Sequence, residues 1–190
     1  MLSTLRFQTM TQVFRRPALV LAAVAVLSAC SPARDWRDVQ PQGLNILLTF
    51  PCKPERIAKD VRLAGESVRM SMTGCVADGM TFALAHAHFR TPDRTASGLA
   101  QLHQAAVANV RGRVTASAPV AFANIDPGLP DARDLRIDGQ APDGKAVRER
   151  VVLFAQGSDI YQLTALGPAG AFKPDAAQTF AESVKLSPSR

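Results

Sequence analysis

Two alternating runs that meet at Ala77-Asp78-Gly79 constrain the fold more than any other feature of this chain. Residues 67–76 and 80–89 each place apolar side chains at every second position, the period of a strand with one covered face. Asp-Gly between two such runs is a strong hairpin signal, because the tight turn needs left-handed backbone at both central positions. The same alternation occurs earlier, in Leu44, Ile46, Leu48 and Phe50 before Pro51, and a further strand is plausible over residues 56–63. In the second half, residues 114–122, 131–140, 146–155 and 160–166 look extended. Asp126-Pro127-Gly128, Pro142-Asp143-Gly144 and Gly157-Ser158-Asp159 separate them.

The period changes twice. Thr91-Pro92-Asp93 has the chemistry of a helix start, and Leu99, Leu102, Ala106 and Val110 then form one apolar stripe ending near Gly112. A last helix follows Lys173-Pro174-Asp175, with Ala176, Phe180 and Val184 on one side. Strands joined by hairpins, with two segregated helices to cover them, predict an α+β fold: an antiparallel sheet of six to seven strands flanked by two helices. Ala83, Ala85 and Ala87 form a small-residue row that would let a helix come close. At 190 residues, 47% hydrophobic and 20% charged, the chain suits one globular domain and not a disordered tail.

Residues 1–29 read as a targeting segment. Arg15 and Arg16 precede the apolar run PALVLAAVAVLSA, which at 1.5 Å per residue reaches roughly 20 Å, short of a ~30 Å hydrocarbon core. The run ends in Leu27-Ser28-Ala29-Cys30, which resembles the lipobox of bacterial lipoproteins. The resemblance implies cleavage after Ala29 and acylation of Cys30, hence attachment to a membrane through N-terminal acyl chains and a place in the cell envelope facing the periplasm. By resemblance to enterobacterial lipoprotein sorting, Ser31 after the lipidated residue favours the outer over the inner membrane. The plainer alternative is an ordinary cleaved signal or an uncleaved anchor with an incidental cysteine. Residues 30–42 read as a tether in which Trp36 docks on the domain edge, and residues 43–187 as the single domain.

Export changes two further readings. Arg6, Arg15 and Arg16 leave with the signal, so 22 basic residues become 19 against 16 acidic ones, a charge of +3. No basic cluster with interleaved aromatics remains, which argues against nucleic acid as a partner. With Cys30 taken by lipid, Cys52 and Cys75 are the remaining pair in an oxidising compartment and are expected to form a disulfide. A zinc site joining both thiols to His86 and His88 is the competing idea, but the cysteine spacing fits no zinc ribbon or finger.

A first strand ending in Phe50-Pro51, a hairpin, one central helix, three more strands and a C-terminal helix in Phe180-Ala181-Glu182-Ser183-Val184-Lys185-Leu186 resemble the PsbP-like α/β/α sandwich. The resemblance spans residues 43–186. It implies a protein that binds other proteins or assists their assembly, with no shared catalytic constellation, and it transfers no residue-level site.

Candidate chemistry is sparse. His86 and His88 lie two apart on one strand face with Phe82 and Leu84, and His103 could approach from the central helix. A metal pair or a general acid–base pair is conceivable there, but partly buried structural histidines are the commoner case. Ser158 lacks the Gly-x-Ser-x-Gly elbow, and no phosphate-cradling glycine motif occurs. Arg148 and Arg150 share a face that reads as solvated, with an acidic partner or lipid headgroups as the alternative. Met70 and Met72 read as core packing. The sequence therefore predicts a non-catalytic binding or envelope-assembly module without cofactor or metal, acting on an envelope protein. Its rival is a small metal-dependent or hydrolytic enzyme using His86 and His88. The binding reading predicts an exposed apolar patch of a few hundred Å².

Overall fold

A computed structural model describes residues 34–188. Residues 1–29, read above as a signal segment, Cys30 and residues 31–33 lie outside that range, and with them the expected acylation site. The elements in order are β1 (Arg37–Val39), β2 (Ile46–Phe50), β3 (Glu55–Leu63), β4 (Glu66–Ala77), β5 (Met80–His88) and α1 (Thr95–Asn109). They continue with β6 (Arg113–Pro119), β7 (Arg133–Gln140), β8 (Ala146–Gln156), β9 (Asp159–Pro168), α2 (Pro174–Glu182) and β10 (Lys185–Leu186). Among the described residues no helix is long and apolar enough to cross a membrane.

The architecture is mixed α+β. Seven strands form one antiparallel sheet in the order β3-β4-β5-β9-β8-β7-β6, as the hairpin signals predict. The run at residues 44–50 becomes β2 but stays outside that sheet. It is flanked by β1 and β10 in a separate three-stranded sheet, both antiparallel to it, so neither of its edges is left for the large one. The β4–β5 turn has Asp78 at φ 52° and Gly79 at φ 71°, the left-handed pair that the Asp-Gly sequence foretells.

Each face of the large sheet carries its own core. On one face α2 and β2 lie over Met80, Phe82, Leu84, Val152, Phe154, Tyr161 and Leu163. Phe180 anchors this layer, 5.1 Å from Phe50 and 5.5 Å from Phe82 between ring centroids. On the other face the α1 stripe of Leu99, Leu102, Ala106 and Val110 covers Ala87, Leu135, Ile137, Val151, Leu153 and Ile160. Each such leucine taken out of water is worth roughly 1.5–3 kcal/mol. Gly98 lets the helix settle, since a Cβ there would meet the Phe89 ring at 2.7 Å.

The helix start sits one turn later than Thr91-Pro92-Asp93 suggests. Pro92–Arg94 forms a 3₁₀ turn, and the Thr95 hydroxyl donates to the Pro92 carbonyl at 2.7 Å as α1 begins. Both edges of the large sheet discourage further pairing. β3 is largely exposed and carries Glu55, Arg56, Lys59, Asp60 and Arg62, while β6 carries a bulge between Val114 and Ala116 and ends in Pro119.

Candidate binding surface

α1 packs chiefly over β8 and β9. On the β3–β5 half of the same face Leu63, Val68 and Ala87 are still buried in its core, but the end carrying Ile57, Met72 and Val76 is left uncovered. The register places Ile57 opposite Met72 and Val76 opposite Thr81, all on that face. Ile57 is 66% exposed, Val76 68% and Met72 40%. Methionine at 72 is thus not core, contrary to the sequence reading, because the helix that would cover it runs elsewhere. Together with Ala83 these side chains line a groove of about 490 Å³, to which Lys53 and Glu55 add polar groups. The alanine row accordingly serves two purposes: Ala87 lies beneath α1, while Ala83 contributes to the groove.

The groove borders the bond between Cys52 and Cys75, whose Cα atoms are 6.0 Å apart. Cys52 follows β2 of the small sheet and Cys75 lies on β4 of the large one, so the bridge ties the two sheets together across 23 positions. A sulfur held in a disulfide is no thiolate ligand, which removes the zinc arrangement that joined both cysteines to the histidines.

His86 and His88 point to the α2 side of the sheet and meet a partner that the sequence did not suggest. Strand pairing sets Asp159 opposite His88, and its Oδ1 accepts from His86 Nε2 at 2.7 Å and from His88 Nδ1 at 2.9 Å. Burial alone would push the Asp159 carboxyl up, but the bonds from His86 and then His88 outweigh it and hold the group below the usual carboxylate range. The His86 side chain, 11% exposed, lies against the Tyr161 ring with centroids 5.1 Å apart. Burial first, and the Asp159 charge second, push the Tyr161 hydroxyl well above its ordinary value. His88 is 64% exposed, and neither histidine lines any of four grooves of about 290 to 510 Å³ elsewhere on the domain. His103 does not join them. It sits on α1, over the opposite face, and bonds to Asp131 at 2.8 Å. Among the described residues no three His, Cys, Asp or Glu side chains are arranged to hold a metal ion.

The expected solvated face at residues 145–150 is also revised. Arg150 is buried, with Nε donating to Asp134 Oδ1 at 3.1 Å, one terminal nitrogen to Oδ2 at 2.6 Å and the other to the Ala177 carbonyl at 3.3 Å. Arg148 stays half exposed and bonds to Asp138 at 3.0 Å. Between them Glu149 points to the α1 face, where its Oε2 is buried without a hydrogen-bond partner. Burial pushes this carboxyl up to about 7.

No known protein family matches the chain, and no curated protein matches its sequence.

Proposed function

We propose that this chain is an exported lipoprotein, acylated on Cys30 and facing the periplasm, whose domain binds an envelope protein without catalysing a reaction. The order of strands and helices supports reading the domain as a PsbP-like sandwich, and Ser31 favours the outer membrane. One observation carries the binding role: Ile57, Met72 and Val76 stay exposed around a groove on an otherwise covered sheet face. Contiguous exposed apolar surface on a soluble domain, rimmed by polar groups, is a recognised mark of an interaction site. The occupant that fits is an apolar segment of another envelope protein, with Lys53 and Glu55 reading its flanking charges.

The rival enzyme reading draws on the shared contact of His86 and His88 with Asp159. It is the weaker one, since His88 faces solvent and Asp159 is already satisfied by two imidazoles. The binding face can be tested within one strand. Ile57 and Ala58 are exposed neighbours on opposite faces of β3. A photo-crosslinking residue at position 57 or 76 is expected to give one discrete envelope-protein adduct in intact cells, lost on Met72→Glu. The same residue at position 58 should not. Equal labelling from 57 and 58, or adducts indifferent to Met72→Glu, would remove this face as the binding surface.

A further inference from the structure

The described chain begins at a clamp. Arg34 donates from Nε to Asp78 Oδ2 at 2.6 Å and from a terminal nitrogen to Asp175 Oδ2 at 2.9 Å, pinning it between the β4–β5 turn and the first turn of α2. Cys30 lies only four residues earlier. Fully extended, four residues span at most about 14 Å. If Cys30 carries acyl chains seated in a bilayer, the end of the domain that holds Arg34 cannot stand farther than this from the headgroups.

That end is built of basic groups in excess. The same sheet end carries Arg113, Asp138 and Arg148 as one cross-strand row on β6, β7 and β8, and the next row sets Arg136 directly opposite Arg150. Like charges facing each other across strands repel. Asp134 relieves this by accepting from Arg150 through both oxygens and from Arg136 through Oδ1. Arg136 and Arg148 remain about two-fifths exposed, and each spends one N–H on its aspartate. Together with Asp138, the carboxylate that holds Arg148 at 3.0 Å, they line a groove of about 350 Å³ whose far wall is the start of α2, at Pro174, Ala177 and Gln178. The acids near the clamp are engaged: Asp78 and Asp175 by Arg34, Asp143 by Lys145 at 2.8 Å. What is left over is guanidinium, and its planar fork matches the oxygens of a phosphate group.

We propose that this end of the domain faces the bilayer and that the groove between β7, β8 and the start of α2 seats the phosphate of an anionic phospholipid headgroup, held by Arg136 and Arg148. The buried Arg150, fixed by Asp134 and the Ala177 carbonyl, forms the rigid floor. The orientation rests on acylation of Cys30; the phosphate groove rests on the arginines alone. Lipid contact here would leave the Ile57–Val76 face free for a protein, since the two grooves lie on opposite faces of the sheet.

The test uses the mature full-length chain with Cys30→Ser, so that vesicle binding owes nothing to acyl chains. Cosedimentation with phosphatidylcholine vesicles, with and without phosphatidylglycerol, is read beside a titration with glycerol 3-phosphate. The expected result is binding to the anionic vesicles only, weakened by salt and lowered about tenfold by Arg148→Gln or by Arg136→Gln, the loss of one charge-assisted contact. An unchanged melting temperature shows that these variants are folded, and Arg148→Lys should retain part of the binding. Binding of glycerol 3-phosphate without anionic vesicles would overturn the lipid assignment in favour of a soluble phosphate ester. Failure to bind either, or equal binding by the glutamine variants, would overturn the groove. Mass analysis of native Cys30 reports separately on acylation: an unmodified cysteine would sink the tethered orientation even if anionic vesicles still bind.

Discussion

Replacing Glu149 by Gln is expected to stabilise the domain at pH 8 by about 2 kcal/mol and to flatten its stability between pH 4.5 and 7. The side chain lies in the sequence Val147-Arg148-Glu149-Arg150-Val151, on the face shared with Val147 and Val151, with Leu166 and Ile137 as cross-strand neighbours. Its Oε2 has no partner, and burial raises the carboxyl from 4.5 to about 7. In that interval the folded chain keeps a proton that the unfolded chain has released. Stability is therefore full below about pH 4.5 and falls as pH rises, levelling off above 7. A shift of this size corresponds to about 3 kcal/mol. Glutamine removes the ionisation but leaves an unpaired amide, so part of that gain is forfeited; Glu149→Leu should recover more. Urea unfolding of wild type and variant across pH 4–8 measures both slopes. Parallel curves for the two proteins would show that Glu149 is not the group responsible.

Loss of the Cys52–Cys75 bond is the second large effect. Closing a loop of 23 positions limits the unfolded chain by roughly 3 kcal/mol in chain-entropy terms. For a domain of this size that is a fall of about 6–12 °C in melting temperature for Cys52→Ser with Cys75→Ser. The damage should be local before it is global. The bridge joins the segment after β2 to β4, and without it the small sheet is held to the large one by apolar packing through α2, as in Phe50 against Phe180 and Phe180 against Phe82. Hydrogen exchange is expected to quicken most in β1, β2 and β10, by more than in β8 and β9, whose change should track only the global loss of stability. Uniform quickening would contradict the view that the bridge acts as a strap between sheets.

The strands and helices were legible because each rests on a local pattern. Alternation and Asp-Gly mark β4 and β5, and the 99–102–106–110 stripe marks α1 with the buried side chains in place. β1 and β10 were not legible: runs of three and two residues carry no period, and their existence depends on β2 standing between them. The site was readable in face but not in cover. Parity puts Ile57, Met72 and Val76 on the α1 side, yet only the path of α1 over β8 and β9 decides that they stay bare. The same limit hid the meeting of His86 and His88 with Asp159, which lies 73 positions from His86 and joins it only through β5–β9 pairing. Arg150 looked like a surface charge because its cover, α2, comes from the far end of the chain. The burial of Glu149 was missed with it, although a carboxyl at the parity of Val147 and Val151 carries that signal.

Compartment and tethered orientation, as proposed, depend on what becomes of the amino terminus, and intact-mass analysis of the protein extracted from the cells that make it reads this directly. A mature chain that starts at Cys30 and carries a diacylglyceryl thioether is the predicted result. A chain that keeps residues 1–29, or one that starts near residue 30 with a free thiol on Cys30, would contradict it.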